Sequence, residues 1–237
     1  NINIDGCTLY GSRRQGISVV NGDNISISNC EISYILGTDP RFAIDIEPNE
    51  DEIVKNVTID RIVAHHCKGG ISIVGIAKNS IVSNVIVANC YISNCTKDGI
   101  YIVGTSANKE LNNISIKNNT IIQDNDTDQS DKYGVRINPL NDITSYTPSA
   151  YDRRAEMIII ENNTISIEQT ISAGVILYLN CKGVVVRDNT ISGVSFAIQL
   201  RGHDNIIRNN HFIGSVSCEN SHNLKLENNI INNLICD

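Results

Sequence analysis

Seven short segments of the 237-residue chain share one shape. They begin at Gly16 (GISVVNGD), Ala43 (AIDIEPNE), Gly70 (GISIVGIA), Gly99 (GIYIVGTS), Gly134 (GVRINPLN), Gly174 (GVILYLNC) and Ala197 (AIQLRGHD), and each reads small, apolar, variable, apolar, variable. Their starts lie 27, 27, 29, 35, 40 and 23 residues apart. A unit of fixed shape with insertions of varied length marks a repeat architecture, in which each unit buries its apolar side only by stacking on the next.

A second column runs beside the first. INIDGCTL, ISISNCEI, VIVANCYI, ISIKNNTI, IIIENNTI, VVVRDNTI, IIRNNHF and LKLENNII all show strand-like alternation closed by a two-residue polar turn. The second turn residue is Cys7, Cys30, Cys90, Asn119, Asn163, Asn189, Asn210 or Asn229, with Ile62 in that place in VTIDRIVA. Stacked turns of this kind let Asn side chains hydrogen-bond along the stack while occupying the left-handed backbone region that Asn tolerates. Short strands, a repeat of about 22 to 29 residues and a turn ladder predict an all-β right-handed parallel β-helix, a solenoid of about nine rungs. Leucine-rich repeats need a Leu consensus and helices, and propeller blades need roughly 40 residues each. One such domain is expected over residues 1–237, read as a piece of a longer or processed protein. The ladder also accounts for sequons such as Asn24-Ile-Ser, Asn56-Val-Thr and Asn162-Asn-Thr as turn chemistry.

One Met, no Trp and three Phe make the core aliphatic. Lys and Arg number 19 against 26 Asp and Glu, a net charge of -7 with no basic block, which argues against nucleic-acid binding. No apolar run approaches the ~20 residues that span a bilayer, so no membrane insertion is expected. Eight cysteines are present, and Cys7, Cys30 and Cys90 share one repeat position, so they read as small buried stackers rather than disulfides. No CxxC or Cys/His spacing suits zinc.

Three insertions interrupt the repeat: Tyr34 to Phe42, Gln123 to Lys132 and Pro139 to Met157. Loops of this length on a rigid scaffold flank functional grooves or lack structure. Asp124, Asp126, Asp128 and Asp131 resemble a calcium loop only in acid density, without the Gly and terminal Glu, so the second insertion reads as unstructured. No cofactor or metal is assigned, calcium being the one ion considered.

Alternation sends Ile44 and Ile46 one way and Asp45 and Glu47 the other, onto a solvent-facing side. In register, the first outward column reads Ser18, Asp45, Ser72, Tyr101, Arg136, Ile176, Gln199, and the second Val20, Glu47, Val74, Val103, Asn138, Tyr178, Arg201. Acids at one end with tyrosines, arginines and amides further along describe a groove for an extended polysaccharide. The candidate catalytic pair is Asp45 and Glu47, one as acid on the leaving oxygen and the other as base for water. Their backbones are separated by about 6.5 to 7 Å, near the short end of the inverting-glycosidase spacing. Candidate substrate-binding residues are Arg41, Tyr101, Arg136, Asn138, Tyr178, Gln199 and Arg201. The plainer reading pairs the two acids with Arg41 or Lys68 in surface salt bridges. His65, His66 and His203 lie off the columns and read as structural.

These features resemble the pectate-lyase-type right-handed β-helix superfamily along essentially the whole chain. GSRRQGISVVNGDNISISNCEIS followed by AIDIEPN is similar to β-helix domains of bacteriophage tailspike and pre-neck appendage proteins. The resemblance implies a depolymerase that cleaves bacterial surface polysaccharide or teichoic acid, commonly a homotrimer, placed on a virion or outside the cell. Hydrolysis is the expected chemistry. A non-catalytic receptor spike and a lyase or epimerase using Tyr101 or Arg136 as base are the alternatives. Mannuronan epimerases are similar in carrying Asp-x-His on a corresponding strand, where this chain has Glu47 as the second member; the polygalacturonase signatures are missing.

Overall fold

The computed structural model describes residues 1–108, 110–124, 131–139, 157–168, 172–193 and 195–236. Every strand pairing among them is parallel, and the chain winds as a right-handed β-helix with three faces. The first face stacks nine strands, from Ile2–Asp5 and Gly22–Ser28 through Ile53–Asp60, Ile81–Ala88 and Glu110–Lys117 to Lys225–Glu227. The second carries the strands after the turn, such as Glu31–Ser33, Val63–His65, Tyr91–Ser93 and Thr120–Gln123. The third holds the segments first seen in the sequence: Ile17–Val19, Phe42–Ile46, Gly69–Gly75, Asp98–Gly104, Lys132–Asn138, Ser172–Leu177 and Phe196–Gln199. The strand His211–Ser217 pairs at its start with Thr190–Gly193 and at its end with Phe196–Gln199, joining the second and third faces into one sheet.

Inside, Ile, Val and Leu from all three faces stack in rows, with Ile27, Ile44, Ile59, Ile71, Ile73 and Ile92 among the fully buried. The small residue opening each third-face strand has a steric cause. A Cβ on Gly70 would lie 2.5 Å from the Gly99 carbonyl oxygen and 2.6 Å from Ile92 Cγ2, because the corner folds one strand's backbone onto the second face's isoleucine.

The ladder forms as expected from Cys90 onward. Asn119 Oδ1 accepts from the Cys90 N–H at 2.9 Å, Asn163 Oδ1 from Asn119 N–H at 2.9 Å, and Asn189, Asn210 and Asn229 continue the chain. Its backbone is not left-handed, however. The positive φ falls on the residue before each rung of the ladder: Asn29, Arg61, Asn89, Asn118, Asn162, Asp188, Asn209 and Asn228. The division is physical: the first turn residue reverses the chain, so the second turns its amide inward. All eight cysteines are free thiols, six of them buried; Cys30 and Cys90 are the buried stackers expected, whereas Cys7, on the first rung with no coil stacked over it, is exposed.

The first insertion is described throughout. Residues 125–130 and 140–156 lie outside the described residues, so the acidic-loop reading at Asp126 and Asp128 and the long loop after Pro139 are not addressed. Among the described residues no group of three or more His, Cys, Asp or Glu side chains is arranged to hold a metal ion, and no helix is long and apolar enough to cross a membrane.

Candidate functional site

The first outward column is in register along its whole length. Strand pairing sets Ser18 beside Asp45, Asp45 beside Ser72, Ser72 beside Tyr101, Tyr101 beside Arg136, Arg136 beside Ile176 and Ile176 beside Gln199. In the second column Val74, Val103 and Asn138 are partners, while Tyr178 N–H donates to Ile137 oxygen and Arg201 N–H to Leu177 oxygen, placing both on the following rungs.

Asp45 is not on an open floor, contrary to the expectation from alternation. It points out of the coil but is only 1% exposed. Gln15, from the preceding rung, donates Nε2–H to Asp45 Oδ2 at 2.6 Å, and Ser72 donates its hydroxyl to Asp45 Oδ1. Arg14, beside Gln15, sends its charge toward Glu47 and its Nε–H to the Asp39 carbonyl at 3.2 Å. Thus the two sequence stretches RRQG and IDIEP build one wall.

Glu47 is half-buried. Burial, the Asp45 charge and a hydrogen bond with the Asp45 carboxyl push its proton affinity up, with Arg14 opposing. The two carboxyls thus act on one another directly, Asp45 making Glu47 harder to ionise.

They open into a cavity of about 250 Å³ lined by Pro40, Phe42, Ser72, Val74, Ile76, Tyr101 and Val103. Phe42 lies across the neighbouring strand where Gly69 leaves space, since a Cβ on Gly69 would be 2.1 Å from the ring. It packs toward Tyr101, with ring centroids 6.4 Å apart.

The candidate binders fall into three groups. Tyr101, Arg136 and Tyr178 come together: the Arg136 guanidinium lies 3.8 Å from the Tyr101 ring centre, and Tyr178, on the following rung, is near enough to act on Arg136. Arg136 is committed to a fully buried Asp98, donating Nε–H to Oδ1 at 2.8 Å and Nη2–H to Oδ2 at 2.6 Å. Burial pushes the Asp98 carboxyl up while Arg136 pulls it back, and burial also raises the Tyr101 hydroxyl. Arg136 is thereby engaged by Asp98, and the Tyr101 hydroxyl holds its proton more tightly than a free phenol. Asn138, Gln199 and Arg201 stand half-buried further along, apart from the acids, and Arg201 Nε has no hydrogen-bond partner among the described residues. Arg41 turns to Asp39 at 2.8 Å, as does Lys68. The plainer reading thus has its cations on a different carboxylate, and neither one neutralises Asp45 or Glu47.

Gln15, Ser72, Phe42 and Asp98 were not singled out from the sequence. Ser72 and Asp98 were within reach, since Ser72 stands in the outward column and Asp98 is the acid just ahead of a repeat unit; Gln15 carried no periodic signal.

The family described as "Right handed beta helix region" matches residues 1–147. The chain belongs to that family. Among solved structures, this β-helix is similar to PfbA, a surface adhesin of Streptococcus pneumoniae, at 16% identity and a TM-score of 0.69, over 100% of this chain and 60% of that one. It is similar also to an alginate lyase from Paenibacillus sp. str. FPU-7, at 13% identity and a TM-score of 0.59, over 98% of this chain and 92% of that one. At these identities the likeness is one of fold, and the β-helix spans about 60% of the length of the adhesin. No curated protein matches the sequence.

Proposed function

We propose that the third face binds an extended polysaccharide and cleaves it at the Asp45–Glu47 cavity. The observation that carries this reading is Glu47, an acid at the edge of a cavity whose hold on its proton is strengthened by burial and by a second carboxylate. Glu47 gives its proton to the glycosidic oxygen as the C–O bond breaks. Water adds to the sugar carbon, and the pair, now carrying two negative charges, takes the water's proton back. Asp45, enclosed by Gln15 and Ser72, serves as a fixed negative charge facing the cationic sugar rather than as a nucleophile. The Phe42 and Tyr101 rings offer apolar faces for the adjoining sugar.

A bacterial surface polysaccharide or teichoic acid is the substrate class, met outside the cell or from a phage tail, as the tailspike-like segments imply. An adhesin and a polysaccharide lyase of similar fold accord with a glycan partner. A second reading, glycan binding without cleavage, is favoured by the near-complete enclosure of Asp45. Incubation with purified envelope polysaccharides decides between them. Release of new reducing ends without unsaturated ultraviolet-absorbing products, abolished in Glu47→Gln, supports hydrolysis. Unsaturated products would mean elimination, and binding with no product of either kind would mean the second reading.

A further inference from the structure

A different part of the coil carries an exposed ring stack that the catalytic reading does not use. At the corner between the second and third faces, Gly11, Tyr34, His66 and Asn94 each follow residues aligned by strand pairing, namely Tyr10, Ser33, His65 and Ser93. All four are left-handed, with φ of 70°, 58°, 54° and 51°. Gly and Asn adopt this conformation readily, whereas a tyrosine there costs on the order of 1 kcal/mol or more. Tyr34 and His66 are the only aromatic or imidazole side chains so placed among the described residues, and they occupy successive rungs.

The core does not repay that cost, because neither ring belongs to it. Tyr34 and His66 instead stack on each other outside the coil, with centroids 4.8 Å apart and planes 7° from parallel. Tyr10, 74% exposed, continues the row at 5.2 Å from Tyr34, and Leu36 is 53% exposed beside it. The imidazoles are held in place: His65 Nδ1 lies 2.8 Å from His66 Nδ1, and His65 Nε2 lies 3.4 Å from Glu31 Oε1. Tyr34, Leu36 and His66 line a cavity of about 380 Å³, together with Asn94, Thr96 and Asp124 among the described residues.

We propose that this corner is a second saccharide-binding site, taking an uncharged pyranose oligosaccharide in the cavity walled by Tyr34, Leu36 and His66. A cavity walled by a rigid pair of stacked rings and a leucine, with an amide, a hydroxyl and a carboxylate beside them, matches a ring that is apolar on its face and hydroxylated at its rim. Asp124 and Glu31, on a chain of net charge -7, disfavour polyanions such as uronate chains and nucleic acids. The site does not depend on the cleavage reading, since it shares no residue with the Asp45 cavity.

The test titrates the whole chain with cellohexaose, chitohexaose and a guluronate hexamer, reading binding by saturation-transfer NMR and calorimetry. Tyr34→Asn and His66→Asn are the variants of choice, because Asn94 shows that the same corner accepts Asn at the same φ. Binding of at least one uncharged hexamer, weakened about tenfold by each variant with a melting curve at or above that of the wild type and unaffected by Glu47→Gln, is the expected result. No binding of either uncharged hexamer, wild-type affinity in both variants, a preference for the guluronate hexamer, or loss of binding in Glu47→Gln would each overturn it.

Discussion

A carboxyl lying against another carboxylate in a half-closed pocket releases its proton late, and Glu47 is in that position. Its affinity for the proton is raised in the fold above the ordinary 4.5, so the folded state holds a proton that the unfolded chain has lost. Stability from this group is therefore full below pH 4.5 and declines as pH climbs toward the raised value. Glu47→Gln is expected to melt with the wild type near pH 4 and above it at pH 7, while losing about a hundredfold or more in turnover if Glu47 is the acid; melting curves at both pH values together with a reducing-end assay check it. Gln15→Ala is expected to cost about 1–3 kcal/mol in chemical denaturation, because Asp45 Oδ2 then loses a 2.6 Å hydrogen bond in a place where water has little access. Alternation was enough to send Asp45 and Glu47 outward. It could not show that Asp45 would be roofed over, because its cover comes from the preceding coil, where the path of residues 11–16 has no repeat of its own. Arg136 illustrates the same limit: its column was legible, but its partner Asp98 sits at the far end of the adjacent strand, and only the fork geometry shows which acid it takes.

At the scale of the element, the structure is a set of ladders between neighbouring rungs, and they differ in depth. Asn163 is 2% exposed; it accepts from Asn119 and donates to Ile116 and Glu161 carbonyls and to Asn189. A parallel outer ladder runs through Asp23, Asn56, Asn84 and Asn113 on the exposed side of the first face. Asn163→Ala is expected to cost about 3 kcal/mol, since several buried backbone groups lose their partner at once, and Asn113→Ala less than about 1 kcal/mol, since water replaces the amide. Equal costs in urea denaturation would contradict this division. The inner ladder was readable from the repeated Asn at the second turn position. The outer one was not, because its residues sit inside runs that otherwise alternate like plain strand. The Asp98–Arg136 fork also ties adjacent rungs: Arg136→Met alone is expected to cost about 3–5 kcal/mol by leaving a buried charge, and adding Asp98→Leu to recover much of it.

Over the whole molecule each rung touches only the rung before and the rung after. Ile2–Asp5 pairs with Gly22–Ser28 alone, and Lys225–Glu227 with Ile206–Arg208 alone. In this 237-residue chain the inward-facing Ile2 and Leu234 of the outermost rungs are each 47% exposed, whereas their partners one rung in, Ile25 and Val216, are buried. In a stack with only nearest-neighbour contacts, opening starts at the ends and works inward. The free thiols are spread along the axis and report it. Cys7 and Cys236 are exposed; Cys30 and Cys218 are buried near the ends; Cys90 and Cys95 are buried in the middle, where burial pushes the Cys90 thiol up to about 12 and that of Cys95 higher still. A thiol reagent applied to the native chain at pH 8 is expected to label Cys7 and Cys236 at once, Cys30 and Cys218 slowly, and Cys90 and Cys95 last, and reductant should leave the melting curve unchanged. Mass spectrometry of the labelled peptides over time gives the order. A single common rate for the six buried thiols would show that the coil opens as one block, and the rung-by-rung description of its stability would then have to be abandoned.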